Sequence, residues 1–171
     1  MSNKFGTNYK DIKYCYICGY GSLMNKVSRE SNFSTYLPGL PVFVSSEFGF
    51  KRVFDGNKLI IVSNNDYNTA FSAVIFKFPV NLLNLLDRRE SSYRRVLLPH
   101  NYIYTPSRFF LDKSLPVYIY LPNYIPKIRS ISKSNYNITY LNIVIEGLKE
   151  FGSEFLNLFF KTTYNLPRIK F

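Results

Sequence analysis

Residue types that carry much of protein chemistry are scarce in this chain of 171 residues, which has no tryptophan, one histidine and two cysteines. Cys15, Cys18 and His100 do not supply the ligand set of a structural zinc site, so we predict no metal. A lone histidine in a Pro-His-Asn turn also argues against a Ser-His-Asp or Cys-His system, and we expect His100 at the surface. Residues three apart on a strand project from opposite faces, so both cysteines are expected to be buried and reduced.

Long apolar runs and targeting segments are absent as well. No stretch approaches the length of a membrane span. Residues 1–13 are polar, without the apolar core of a secretory signal or the pattern of a transit peptide. We therefore expect no membrane contact and no secretion, and a location in the cytoplasm or in the equivalent interior of an organelle.

Acidic residues are few, 11 against 22 lysines and arginines, and the formal net charge is +11. Clustered positive charge of this size is typical of proteins that bind nucleic acids. Here the basic residues are scattered, with Arg88-Arg89 and Arg94-Arg95 as local pairs, and no nucleic-acid-binding motif is found. We expect no nucleic-acid partner, whereas a positive surface would attract small anionic substrates.

Tyrosine, phenylalanine and β-branched residues are abundant, and 18% of the residues are aromatic, which favours a sheet-rich fold. Apolar and aromatic runs bounded by turn signals predict strands at 14–18, 42–44, 48–54, 59–62, 70–76, 93–98 and 116–121. Asp55-Gly56 is typical of a hairpin turn. Apolar residues at helical spacing predict helices over 82–90 and 138–150, and a third helix with Ser153 as its N-cap.

The remaining segments complete the predicted organisation. Residues 24–36 read as a short helix or a wrapped loop, 122–137 as a loop that wraps the surface or borders the site, and the residues from Thr162 as irregular. The length favours one domain, 14–162, between a polar N-terminal tail (1–13) and a C-terminal tail (163–171). The predicted fold class is α+β, with a mixed, barrel-like sheet in which 14–18 is central.

One stretch, Gly19-Tyr20-Gly21-Ser22-Leu23-Met24, follows the first predicted strand and must turn sharply. A turn of this kind can direct several backbone N–H groups into one concavity, which is a site for a carboxylate or a phosphate. The alternative is an ordinary turn at the end of a strand. The stretch alone does not decide between the two.

A carboxylate, Glu90, ends the predicted helix over 82–90. At about 100° per residue it falls between Leu83 and Leu86, on the apolar side of the helix. Burial would raise its pKa toward neutrality and suit it to proton transfer. Alternatively, Arg89 or Arg94 pairs with it and keeps it ionised.

Three groups of residues then occur in order along nearly the whole chain: Tyr20-Gly21-Ser22-Leu23, then Leu86-Asp87-Arg88-Arg89-Glu90 with Tyr93 and Arg95-Val96, and finally Tyr140 with Glu146-Gly147-Leu148. Together they resemble the γ-glutamyl cyclotransferase superfamily, in particular the branch with a Gly-Tyr-Gly-Ser-Leu start that includes the ChaC-type enzymes. The resemblance implies a small mixed β-barrel flanked by helices.

The resemblance also implies a reaction. In a small, anionic γ-glutamyl substrate the α-amine attacks the γ-carbonyl, and 5-oxoproline and an amine are released without any cofactor. Glu90 is implied as the catalytic general acid and base. The implied substrate-binding residues are Tyr20, Gly21, Ser22 and Leu23, through their backbone N–H groups, and Tyr93 and Tyr140, which line the pocket.

Two positions depart from the family pattern. Ser91-Ser92 follow the glutamate where a glycine is usual, and Asn137 stands where a serine is often found. The alternative function is therefore a protein of the same fold that binds a small anion, or has a regulatory role, without turnover. The sequence leaves open which γ-glutamyl compound is bound and how many subunits assemble.

Overall fold

The computed structural model of the protein describes residues 12–63, 69–106, 109–123 and 136–167. Its strands are β1 (Tyr14–Gly19), β2 (Gly39–Val44), β3 (Phe50–Phe54), β4 (Leu59–Ser63), β5 (Phe71–Pro79), β6 (Tyr93–Leu97), β7 (Ile103–Tyr104), β8 (Val117–Pro122) and β9 (Thr163–Tyr164). Its α-helices are α1 (Lys26–Glu30), α2 (Leu83–Arg89), α3 (Ile138–Lys149) and α4 (Ser153–Lys161).

The main sheet has six strands in the order β6-β8-β1-β5-β2-β7. β1 pairs antiparallel with β5 and parallel with β8, so the sheet is mixed. The sheet curls into half a barrel, and helices pack against it in a single α+β domain. The predicted fold class is confirmed, and so is the central position of 14–18.

Both faces of β1 are buried, which explains why its sequence is apolar without alternation. Cys18 packs on one face with Val42 and Ile119. Cys15 packs on the other with Leu83 and Leu86 of α2. The two cysteines are therefore free and on opposite faces, as predicted, and burial raises the pKa of each thiol to about 12.

A second sheet, with the order β4-β3-β9, starts from a hairpin. Asp55 fixes its turn, because one carboxylate oxygen accepts hydrogen bonds from the N–H groups of Asn57 (2.9 Å) and Lys58 (2.8 Å). β9 pairs in parallel with β3. The prediction of irregular structure from Thr162 onward is thus wrong for Thr163 and Tyr164, which form a strand through a contact distant in sequence.

The helices follow the predicted apolar spacing. α2 buries Leu83 and Leu86. α3 is capped by Asn137, whose side chain accepts a hydrogen bond from the Tyr140 N–H. Ser153 is the first residue of α4 and Gly152 holds the N-cap position, so the predicted Ser153 cap is wrong.

The predicted alternatives for two loops have different outcomes. Within 24–36 the short helix forms, as α1. Most of 122–137 lies outside the described residues, so the prediction that this loop wraps the surface or borders the site stays a prediction.

His100 lies half-buried in a 3-10 turn, with its Nε2 2.8 Å from the Leu115 carbonyl oxygen. No helix in the described part of the chain is long and apolar enough to cross a bilayer.

Candidate functional site

A pocket opens where β1 ends. It encloses about 560 Å³ of empty space, which includes the space open to solvent at its mouth. All seven sequence-predicted site residues line it: Tyr20, Gly21, Ser22, Leu23, Glu90, Tyr93 and Tyr140. The other lining residues are Cys18, Gly19, Lys58, Leu59 and Tyr120. The predicted residues therefore meet at one site from four parts of the chain: the loop after β1, the end of α2, β6 and α3.

The loop after β1 carries potential donors. The chain leaves β1 at Gly19 and enters a short 3-10 turn over Ser22–Met24. No backbone carbonyl in the described part of the chain accepts a hydrogen bond from the N–H groups of Gly21, Ser22 or Leu23. The amides of Gly21 and Leu23 at the pocket wall are thus available to an anion, and the Ser22 N–H faces the Tyr140 hydroxyl oxygen.

Gly21 is required by close packing. A Cβ atom built on Gly21 would lie 2.7 Å from the Tyr140 hydroxyl oxygen, closer than real Cβ contacts. Backbone N–H groups of Leu59 and Ser22 stabilise the ionised form of that hydroxyl, but burial outweighs them and raises the pKa of Tyr140. Tyr140 is therefore a neutral phenol against the loop.

Glu90 follows α2 directly, and its N–H donates to the Leu86 carbonyl (2.9 Å). Its side chain is only 18% exposed, and Oε1 lies 3.3 Å from the Arg89 Nε. Burial raises the pKa of Glu90, while the positive charges of Arg89 and Lys58 oppose that effect. Both predicted alternatives are present, the inward carboxylate and its arginine partner, and burial is the larger influence on the pKa.

Tyrosines form the inner wall of the pocket. The buried Tyr20 hydroxyl donates to the Tyr120 carbonyl oxygen (2.7 Å), and the Tyr120 hydroxyl donates to Asp87 Oδ1 (2.6 Å). Burial is the main cause of the raised pKa values of both tyrosines, and Asp87 adds to the effect at Tyr120. These phenols remain protonated near neutral pH, so the wall carries no charge, and their O–H groups are already used within the protein.

Lys58 is a site residue that sequence reasoning missed. It belongs to the turn between β3 and β4, and its Nζ lies 4.7 Å from the centroid of the Tyr93 ring. Nothing in the local sequence marks a turn lysine as part of a pocket formed mainly by other elements. Only the docking of the hairpin against the loop after β1 brings it there.

Arg52 was missed for a similar reason. This side chain of β3 is fully buried, and its NH1 donates a long hydrogen bond (3.5 Å) to the Tyr20 carbonyl oxygen, just behind the pocket loop. Its other acceptors include the Ser72 carbonyl oxygen, Ser72 Oγ (3.0 Å) and Thr163 Oγ1 (2.8 Å). Burial lowers the pKa of Arg52 to about 9, so the guanidinium remains charged at neutral pH.

The chemistry available at this site is proton transfer and anion binding. Glu90 can exchange a proton near the surface of the pocket, the loop amides and Lys58 can bind negative charge, and the Tyr140 phenol can donate a hydrogen bond. Among the residues that the structure describes, no group of three or more His, Cys, Asp or Glu side chains is arranged to hold a metal ion.

Comparisons with known proteins give the fold. No protein-family model matches the chain. No curated protein sequence matches it either. A solved γ-glutamyl cyclotransferase superposes with a TM-score of 0.63 at 15% identity, over 92% of this chain and 93% of that one. An uncharacterized protein from Homo sapiens superposes with a TM-score of 0.64 at 17% identity, over 93% and 94%.

A third solved structure, a γ-glutamyl cyclotransferase from yeast that is specific to glutathione, gives a TM-score of 0.54 at 14% identity over 91% of this chain and 99% of that one. The coverage is nearly complete in both directions, so the chain has the γ-glutamyl cyclotransferase-like fold. At these identities the similarity establishes the fold, and the activity has to be argued from the site.

Proposed function

We propose that this chain, which has the γ-glutamyl cyclotransferase-like fold, belongs to that superfamily and releases 5-oxoproline from a γ-glutamyl compound. One observation carries the proposal: a desolvated carboxylate, Glu90, shares a pocket with the loop amides of Gly21 and Leu23. This cyclisation requires an anion-binding site and a general acid–base in the same small pocket.

In the proposed reaction the substrate supplies its own nucleophile. Its α-amine attacks its γ-carbonyl carbon, a new C–N bond closes the five-membered ring, and the original γ-amide C–N bond breaks. Glu90 takes a proton from the α-ammonium group and returns one to the departing nitrogen, and the ring nitrogen's other extra proton passes to the released amine, which leaves as an ammonium ion, so protons balance over the cycle. The enzyme's contribution is to hold amine and carbonyl in reacting geometry and to move that proton.

The loop amides are proposed to bind the substrate α-carboxylate or the oxyanion that develops on the γ-carbonyl oxygen. Donors fixed before the reaction stabilise such charge without reorganising. Arg52 supports the loop from behind through the Tyr20 carbonyl and places a buried positive charge near it. Tyr20, Tyr93 and Tyr140 would line the substrate's apolar carbons, and the Tyr140 hydroxyl would donate a hydrogen bond.

The environment of Glu90 supports the proton role. Burial raises its pKa, which improves it as a base for an ammonium group, while Arg89 and Lys58 limit the rise and keep the ionised form accessible. A carboxylate paired only with arginine would be a weak base. A carboxylate with no cation nearby would stay protonated.

The two departures from the family pattern have local structural roles here. Asn137 caps α3, and its Nδ2 donates to Asn57 Oδ1 (3.0 Å), so it ties the Tyr140 helix to the β3–β4 turn. After Glu90 the chain turns through Ser91 and Ser92, and the Tyr93 N–H donates to the Glu90 carbonyl (2.8 Å). Both departures are therefore compatible with an intact pocket.

The test is to incubate the purified protein with glutathione, γ-glutamyl amino acids and γ-glutamylamines and to measure 5-oxoproline, with binding followed by calorimetry. We expect 5-oxoproline from at least one class. Tight binding without 5-oxoproline would support the non-catalytic alternative. Neither product nor binding from any compound would reject the proposed enzyme and any role in binding γ-glutamyl compounds.

A further inference from the structure

We propose that Lys58 forms a carboxylate subsite at the mouth of the pocket, which binds an anionic group on the amine that the reaction releases. The inference rests on the proposed function, and it makes Lys58 a specificity-determining residue of the site. It concerns a residue of the β3–β4 turn, separate from the loop amides and from Glu90.

The backbone of Lys58 is fixed by its turn. Its N–H donates to Asp55 Oδ1 (2.8 Å), and its carbonyl oxygen accepts from the Asp55 N–H (3.0 Å). The next residue, Leu59, is buried and pairs with Phe54 in the hairpin ladder. The side chain therefore starts from a fixed backbone, so a ligand that binds it does not have to order the turn.

The Lys58 side chain is half-buried, and its ammonium lies over the ring of Tyr93, 4.7 Å from the centroid. This contact orients the ammonium without neutralising it. In the described part of the chain no carboxylate oxygen lies within 4.0 Å of the Lys58 Nζ. Its charge still acts on Glu90, whose pKa it lowers. The ammonium thus lies near the reacting carboxyl with its hydrogen-bonding capacity available.

Arg89, the other cation near Glu90, is already engaged. Its NH1 donates to the Ser28 carbonyl (2.7 Å), its NH2 donates to Ser28 Oγ (3.0 Å), and its Nε faces Glu90 at 3.3 Å. It is therefore held in place by α1 and by Glu90. Lys58 is the better candidate for binding a negative group of the ligand.

The position of Lys58 points to the departing part of the substrate. Tyr20 is buried beneath the loop at 7% exposure, whereas Gly21, Ser22, Lys58 and Tyr93 are all half-buried in the pocket lining. Lys58 comes from the hairpin and its charge acts on Glu90, so with the glutamyl carboxylate at the loop and the reacting amide beside Glu90, the departing group extends toward Lys58. A carboxylate on that group would meet the Lys58 ammonium.

The experiment compares two substrates that differ by one carboxylate, γ-glutamylalanine and γ-glutamylethylamine. The ratio of their kcat/KM values is measured for the wild type, Lys58→Met, Lys58→Arg and the control Lys51→Met. Lys51 lies on the same hairpin as Lys58, and its ammonium lies over the ring of Tyr164 in β9. We expect the wild type to prefer γ-glutamylalanine. Lys58→Met should reduce the ratio by about 10–100-fold, mainly through KM, because one charge-assisted hydrogen bond is lost. Lys58→Arg and Lys51→Met should keep the preference.

An unchanged ratio in Lys58→Met would overturn the proposal, because Lys58 would then act on both substrates alike through Glu90 or through the glutamyl carboxylate. If the wild type forms no 5-oxoproline at all, the proposed function fails separately. The affinities of the two compounds are then compared by calorimetry. A preference for γ-glutamylalanine that Lys58→Met abolishes would retain the subsite on a binding protein, and the absence of such a preference would reject it.

Discussion

At the residue scale, the contact between Gly21 and Tyr140 holds the pocket loop against α3. The loop can approach the Tyr140 hydroxyl because Gly21 has no side chain. The two residues come from different sequence motifs, and the contact makes their roles interdependent.

Gly21→Ala should therefore destabilise the protein by about 1–3 kcal/mol, as overpacking does, and weaken ligand binding. Tyr140→Phe removes the hydroxyl oxygen that the new methyl group would meet. In a double-mutant cycle followed by urea unfolding, we expect the pair to be less destabilising than the sum of the single changes by at least about 1 kcal/mol. Strictly additive effects would contradict the close contact.

A second residue-scale prediction concerns the stability contribution of Glu90. Burial raises its folded-state pKa above the unfolded value of about 4.3, so its contribution is full below that pH and is lost as the pH rises through the folded-state pKa. Relative to Glu90→Gln, which cannot ionise, the wild type should lose free energy of unfolding between about pH 4 and neutrality.

Urea titrations of both proteins over this pH range measure the difference. The groups that face Glu90 are Arg89 from α2, Lys58 from the hairpin, and Tyr20, Tyr93, Tyr120 and Tyr140. Among these groups the two cations oppose the effect. A wild-type advantage that grows with pH would mean that the ion pair with Arg89 outweighs burial.

The sequence was informative for residues whose role depends on local pattern. The glycine-rich turn after a buried strand and the inward face of a short helix pointed to the loop and to Glu90. Lys58 and Arg52 were missed because their roles depend on where the β3–β4 hairpin packs. No local periodicity encodes that packing, and an arginine in a strand is usually solvent-exposed.

At the element scale, Arg52 links the three-stranded sheet to the six-stranded sheet. From β3 it reaches Thr163 in the neighbouring strand β9, and across to Ser72 in β5 and to Tyr20, the residue after β1. Its guanidinium also lies 4.4 Å from the centroid of the Phe159 ring in α4. Both sheets are thus connected through one buried cation directly behind the pocket.

Arg52→Lys keeps the charge but replaces a planar fork of donors with one ammonium group, which cannot reach all of these acceptors. We expect it to lower the free energy of unfolding by about 2–4 kcal/mol, in the range for broken buried networks. Arg88→Lys, at an exposed position of α2, serves as the control and should change stability by less than about 0.5 kcal/mol. Equal stability of the two variants would remove Arg52 from this structural role.

Element positions were predictable where turn chemistry and apolar period agreed, as in the β3–β4 hairpin and α2. β9 was not, because two residues after a helix carry no strand signal and their pairing with β3 is a tertiary contact. The predicted cap at Ser153 failed by one position, because Gly152 adopts the non-helical conformation of the N-cap, with φ at 90°.

At the scale of the whole molecule, the fold class followed from strand and helix patterns, whereas the specific architecture followed from three ordered motifs. Composition alone would have left open a role in nucleic-acid binding, since the net charge is +11. The described structure gives Lys26, Lys51, Lys77 and Arg95 separate aromatic partners on different elements. The positive charges of these four residues are therefore spread over different elements and are not gathered in one nucleic-acid-binding groove.

Binding to duplex DNA or to RNA should accordingly be weak and should disappear at physiological salt, as dispersed phosphate contacts do. A gel-shift titration at two salt concentrations measures this. Sequence-specific binding in the nanomolar range that persists at physiological salt would contradict the assignment of the positive charge to small-anion attraction.

The most direct measurement of the central claim is 5-oxoproline formation by the wild type and by Glu90→Gln, on the substrate that the wild type turns over best. Glu146→Gln, a change at an exposed carboxylate of α3, serves as the control. Glutamine preserves the shape of Glu90 but cannot accept the ammonium proton, so we expect kcat to fall by about 10²–10⁴-fold while calorimetric affinity for the substrate is largely retained. Equal turnover by the wild type and Glu90→Gln would contradict the claim that Glu90 transfers the proton.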